Sequence, residues 1–258
     1  MTEKFSIQTL FLAWQDHKSL AWFPVGRLTF NGQKYQFIYI QGAKQAQKLC
    51  GFKPLLSFPQ LEEVYESDYL FPVFANRLMS SARPEYKDFL KRLNLVENTA
   101  DLMLMLARSE GKRETDSLQV FPYPELDEPG HYHLHFFAHG LRHLPNCSIQ
   151  RIDSLKAGEK LWLAHEFQNP YDSQALILTT EDHHFLGYCP KFLVSYVFDI
   201  LRRNPQAVEV KVEQVNLSPT PLQFRLLCRL DCSMAGDIEA FSQREYEPIK
   251  KMLDIVQV

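Results

Sequence analysis

Apolar-rich runs separated by short polar turns mark the opening part of the chain as a β-meander. SIQTLFLAWQD and AWFPVGRLTFNG read as two strands joined by a short polar turn. A third strand, QKYQFIYIQG, follows Asn31-Gly32, a dipeptide suited to a hairpin turn. Beyond Gly51 the pattern breaks into the Pro-punctuated loop FKPLLSFPQLEEVYESD. A helical stretch near PVFANRLMS then opens with Pro72 in its first turn. PEYKDFLKRL places Tyr86, Phe89, Leu90 and Leu93 on one helical face. A further helix after the capping candidate Thr99 is apolar nearly all round, which predicts burial. SLQVFP reads as a closing strand, and YPELDEPGH, with its acids, prolines and glycine, as a domain boundary near Pro129.

The second half continues the strand pattern in shorter pieces. HYHLHFF alternates, EKLWLAHEF alternates with bulky residues, ALILTT is β-branched and apolar, and FLGY is a further short strand. The joints QNPYDS and EDHH carry turn chemistry. Pro170 fixes φ and keeps Asn169 out of the α region, while Asp172 can accept hydrogen bonds from amides of its own turn. Asn169, Tyr171 and Asp172 are therefore expected on one tight loop. Pro190 opens KFLVSYVFDILRRN, in which Leu193, Val194, Val197, Phe198 and Leu201 recur at helical spacing, so a helix N-terminus carrying Lys191 is expected beside that loop. A tail helix is expected around Glu247 to Ile255. The whole reads as α+β: residues 1–128 as a small β-structure with packed helices, and residues 131–258 as a meander of short strands with one helix and the tail helix.

Composition narrows the classes. The 258 residues are 45% hydrophobic and 13% aromatic, enough for one large domain or two small ones, of which two fits better. No apolar run approaches the ~20 residues that span a bilayer, and MTEKFSIQ lacks a signal peptide's apolar core. A soluble, cytoplasmic protein without membrane contact is expected. The 5 cysteines include no CxxC, which argues against a disulfide framework or a structural zinc site, and Cys228 and Cys232 alternate with apolar residues as core thiols do. A formal charge of −3 excludes a strongly basic nucleic-acid coat, so any anion site must be local.

Candidate chemistry is sparse. His131, His133 and His135 fall on one strand face, with Tyr132, Leu134 and Phe136 on the other. Such a row can face solvent or a domain interface, form a pH-sensitive contact surface, or bind zinc with His139 or His143 as third ligand, although no acid or cysteine is spaced alongside. RSEGKRETDS holds Gly111-Lys112 but lacks a P-loop's upstream glycine and has Arg113 where a hydroxyl belongs, so it reads as a solvated basic turn. Glu62, Glu63, Glu66 and Asp68 are expected in a loop before the Pro72 helix, where acids suit the helix N-terminus. No HExxH, GxSxG or GxGxxG occurs, and Cys147 near His143 has no third partner. The chain is expected not to be an enzyme and to need no cofactor or metal.

HGLRH at 139–143, RIDSLKAGEKLWLAHE, NPYD at 169–172 followed by Ala175, and LGYCPKFL at 186–193 together resemble, in order as well as in words, the HIRAN domain over residues of about 132–234. That family is a modified OB-like β-barrel found fused to chromatin-remodelling helicases and also alone in bacterial proteins. In helicase-like members it captures the 3′ end of single-stranded DNA. The resemblance implies a DNA-binding set of Arg142, His143, Asn169, Tyr171, Asp172, Tyr188 and Lys191. Arg142 would fork onto a phosphate, Tyr171 and His143 would offer faces for bases, and Asp172 would accept from a terminal 3′ hydroxyl. Two positions depart from the helicase-like pattern: His143 stands where a stacking tyrosine is usual and Tyr188 where a histidine is usual. The alternative, in which Tyr171 packs on the barrel and Asp172 only holds the turn, stays open. More loosely, residues 1–128 resemble the N-terminal subdomain of HipA-type kinases without their catalytic lobe. The expected function is non-enzymatic recognition of single-stranded DNA or DNA 3′ ends, coupled to a protein partner through residues 1–128. The alternative is an antitoxin-like interaction component of a toxin–antitoxin or defence system.

Overall fold

A computed structural model describes residues 9–97, 101–113, 115–128, 130–233 and 240–250. Two compact units form, one from Met1–Tyr86, Asn98–Tyr123 and Phe241–Val258, the other from Lys87–Glu97 and Pro124–Ala240. Among the described residues are twelve strands in two antiparallel sheets and six α-helices.

The first unit is built on β1 (Thr9–Gln15), β2 (Trp22–Phe30), β3 (Tyr35–Tyr39), β4 (Val64–Ser67) and β5 (Leu118–Pro122), ordered β4-β3-β2-β1-β5. The β2–β3 turn forms as the Asn31-Gly32 pair predicts, with Asn31 Oδ1 accepting from the amides of Gln33 and Lys34. The residues expected in a loop before Pro72 contain β4, so Glu66 is a strand residue that accepts from Gln36, while Glu62 pairs with Lys44 at 3.1 Å. Helix α1 (Gln41–Cys50) was not predicted by pattern because its buried face is Gly42, Ala43 and Ala46, too small to register as an apolar stripe. The left-handed Gly51 ends it.

A single turn, α2 (Pro72–Ala75), buries Phe74, and α4 (Leu102–Ser109) buries Met103, Met105, Leu106 and Ala107 as expected. The proposed cap Thr99 lies outside the described residues. The N-cap is Asp101, whose carboxylate accepts from the Leu104 amide at 2.6 Å. The core stacks Phe37 on Phe58 with ring centres 4.0 Å apart, and Tyr39 donates to the Phe58 carbonyl. In the Gly111-Lys112 turn the two basic side chains are exposed, but its backbone is clamped by buried Arg77, which donates to the Gly111 carbonyl and to Asp116.

The second unit carries β6 (Glu125–Glu128), β7 (His131–Phe137), β8 (Lys160–His165), β9 (Leu176–Thr179), β10 (Phe185–Tyr188), β11 (Val208–Val215) and β12 (Leu226–Ser233), ordered β10-β9-β8-β11-β12-β7-β6. A bridge between His139 and Tyr188 ties the run leaving β7 to the end of β10, so the sheet closes on itself in barrel fashion. Leu134, Phe136, Leu178, Leu186, Val210, Val212 and Leu230 point into it, and α6 (Lys191–Arg203) covers it with Leu193, Val194, Val197 and Ile200. Helix α5 (Asn146–Ser154) adds to the one helix expected.

Cys228 and Cys232 are buried core thiols, and burial pushes both thiol pKa values up. The acidic run expected as a linker is the strand β6, paired to β7 with Glu125 opposite His133. Pro129 lies outside the described residues. α3 (Tyr86–Arg92) leads to Leu93, which packs with Phe137 and Leu227. Of the expected tail helix, residues 251–258 lie outside the described residues, and residues 247–250 are bend and bridge, with Pro248 bridged to Ile40. No helix among the described residues is long and apolar enough to cross a membrane.

Candidate nucleic-acid interface

The loop between β8 and β9 is held by its own side chains. Asn169 Oδ1 accepts from the amides of Tyr171 and Asp172, each at 2.9 Å, and Asp172 Oδ1 accepts from the Gln174 amide. The Ala175 amide closes the turn onto the Asp172 carbonyl. His165, at the end of β8, places a ring nitrogen 2.7 Å from the Ser173 carbonyl and latches the loop to the strand.

Glu166 joins the loop to the rest of the site. One of its carboxylate oxygens accepts from Asn169 Nδ2 at 2.6 Å and from the Tyr188 hydroxyl at 3.0 Å. Burial, and then this bond to Glu166, raise the Tyr188 phenol above its ordinary pKa. Tyr188 therefore acts as a neutral donor that fixes Glu166, which fixes Asn169. Its backbone is doubly bonded to His139 across the closing bridge, each bond 2.9 Å. Two glycines make this approach possible. A Cβ on Gly187 would sit 2.6 Å from the His139 carbonyl, and one on Gly140 would sit 2.8 Å from the Tyr188 ring.

Residues 141–143 form a short 3-10 turn after left-handed Gly140. There Arg142 and His143 are exposed, and Arg142 Nε donates to His143 Nε2 at 2.9 Å. On the other side Lys191 begins α6, and its ammonium lies 3.4 Å from Asp172 Oδ2. The structure thus links Asn169, Asp172, Tyr188 and Lys191 into one connected web. Arg142 and His143 stand on the turn that the His139 bridge ties to Tyr188. Tyr171 makes no part of the web through its ring, which is 86% exposed. The reading in which Tyr171 packs on the barrel does not match that exposure.

Sequence reasoning missed Glu166, His165 and Phe167. The ring of Phe167 is exposed and lies 4.1 Å from that of His165, which also meets Phe198 of α6. The signal for Glu166 was its place three residues before Asn169, the spacing of an acid that can accept from the asparagine's amide.

The expected histidine row is only partly surface. His131 is exposed and bonds to Ser233 Oγ, whereas His133 and His135 are buried, so they do not form a solvent-facing row. An acid does stand alongside them, because β6 brings Glu125 opposite His133.

The family model of the HIRAN domain matches residues 131–231. Among solved structures, a protein from Lactobacillus plantarum is 17% identical, with the alignment covering 41% of this chain and all of that one, at a TM-score of 0.33. The HIRAN domain of human HLTF is 19% identical over 41% of this chain and 74% of that one, at a TM-score of 0.28. No curated protein matches the chain. The loop words, the barrel closure and the family match converge on one statement: residues 131–231 of this chain are a HIRAN domain.

Proposed function

We propose that this HIRAN domain recognises single-stranded DNA and prefers a free 3′ end. The observation that carries the reading is the Tyr171 ring, 86% exposed on a loop whose backbone is fixed by Asn169, Glu166 and Tyr188. An exposed aromatic on a rigid loop is costly to leave in water and ready to stack, because little entropy is lost when a base covers it. In this reading Lys191, paired with Asp172, and Arg142, on the turn next to the His139–Tyr188 bridge, are the phosphate partners, and Asp172 is the acceptor for a sugar hydroxyl. A carboxylate welcomes a terminal hydroxyl and repels a terminal phosphate, which gives end selectivity a physical source.

Stacking contributes about 1–3 kcal/mol per base, less the cost of association, so a dissociation constant of roughly micromolar is expected. The test is fluorescence anisotropy with labelled oligonucleotides ending in a free 3′ hydroxyl, a 3′ phosphate or a blocked 3′ end. Tighter binding of the free hydroxyl, abolished by Asp172→Asn, supports end capture; equal affinity for all three sinks it.

A further inference from the structure

The sheet face opposite the barrel core holds a second site, in the second unit and outside the nucleic-acid set. Glu125, His133 and His135 each offer a ligand atom, and the three atoms lie within 4.8 Å of one another. Their arrangement follows from register. Glu125 of β6 is directly across from His133 of β7, and His135 is two residues further along the same face. Both imidazoles are buried, at 6% and 7% exposure.

We propose that Glu125, His133 and His135 form a binding site for a divalent transition metal of the zinc type, which pins the edge strand β6 to β7. Two borderline imidazole nitrogens with one carboxylate oxygen make a donor set that suits Zn2+ and its neighbours, and not Mg2+ or Ca2+, which take oxygen ligands throughout. Ligand atoms around tetrahedral zinc stand about 3.3 Å apart, given bonds of ~2.0–2.1 Å. His133 Nε2 and Glu125 Oε1 are already 3.8 Å apart.

The surroundings add a second argument. Asp127 Oδ1 lies 2.9 Å from His133 Nδ1, although the two are not aligned as a hydrogen bond. A proton on Nδ1 facing that carboxylate leaves the Nε2 lone pair directed at Glu125, the tautomer a metal requires. Asp127 is itself held by Arg229, at 2.7 Å, and Arg229 also reaches Asp231 at 2.7 Å. Glu213 lies 3.6 Å from His135 Nε2 and accepts from Asn94 through its other oxygen. A carboxylate besides Glu125 therefore stands near each histidine.

The experiment uses the full chain without a polyhistidine tag, stripped with a chelator and titrated with Zn2+ against a chromophoric competitor. A single equivalent should bind with sub-micromolar affinity, and Co2+ should give the intense visible bands of a low-coordinate site. His133→Ala and His135→Ala should each weaken zinc binding at least ~100-fold, near-isosteric Glu125→Gln about 10–100-fold, and Asp127→Asn about 10-fold. His143→Ala should leave it unchanged. Circular dichroism of the metal-free variants separates lost ligands from lost fold, and Glu125→Gln serves as the reference if an alanine variant unfolds. Failure of the wild-type chain to bind a stoichiometric ion overturns the proposal and leaves the cluster as an ionic network. So does binding that survives both Glu125→Gln and His133→Ala. Neither result bears on DNA binding.

Discussion

The Lys191 ammonium stands 3.4 Å from the Asp172 carboxylate, so the cation proposed for a phosphate and the anion proposed for a sugar hydroxyl are partners before any strand arrives. The pair is partly exposed, with side-chain exposures of 42% and 23%, and contributes little to stability. Its value is positional, because each side chain restrains the other at the mouth of the loop. It also sets the cost of removing one member. Lys191→Ala is expected to weaken single-strand binding by roughly tenfold, since it deletes a phosphate partner and leaves Asp172 as an uncompensated repulsive charge. Arg142→Ala should act in the same direction. Both should flatten the salt dependence, by on the order of 0.7 in slope for each phosphate no longer neutralised. Anisotropy at low salt that finds both variants equal to wild type removes the nucleic-acid reading.

Tyr171→Ala separates binding from folding. The ring is exposed, so thermal stability should be unchanged, whereas loss of one stacked base should weaken DNA binding by about 1–3 kcal/mol. Tyr171→Phe should bind like wild type, because the stacking face is kept. A Tyr171→Ala protein with undiminished affinity would mean that bases lie elsewhere.

Tyr188→Phe tests whether the loop's rigidity matters. The substitution deletes the hydroxyl that donates to Glu166 and leaves Glu166 bonded to Asn169. A loss of about 1 kcal/mol in denaturant unfolding is expected for one hydrogen bond. A several-fold rise in Kd should accompany it as the Asn169 turn loosens. Unchanged affinity together with reduced stability would show that the web supports the barrel and not the binding surface.

Asp182 supplies a pH signature. A hydrogen bond from Thr180, and then one from Arg151, hold its carboxyl at about 2, against 3.8 for an unperturbed group. A carboxyl with a depressed folded pKa adds stability above its unfolded value and loses it as pH falls through the folded one, so its contribution should fade between pH 3.8 and about 2. The group is exposed, so the effect is small. NMR titration of the carboxyl should show it, and the gap in Tm between wild type and Asp182→Asn should close in that window. A carboxyl that titrates at its ordinary value contradicts the hydrogen bonds from Thr180 and Arg151.

Much of the fold and the core of the site are legible in the chain itself. The alternation of KLWLAH marks a strand because side chains on a pleat point to opposite faces, the short apolar runs TLFLAWQ and LILT mark buried ones, and the NPYD loop forms from its own local chemistry. Asn169 caps amides only two and three residues ahead, so no distant partner is needed to set that loop. Local pattern fails where the signal is small or remote. Alanine and glycine hid the buried face of α1, and the acids of ELDE disguised β6 as a linker, since a polar edge strand and a loop share a composition. Only tertiary structure could decide that Tyr188 reaches Glu166 across 22 residues, that Lys191 pairs with Asp172, and that Glu125 faces His133. The reason is the same in each case: strand register and barrel closure choose which distant side chains share a face, and no period within a single segment encodes that choice.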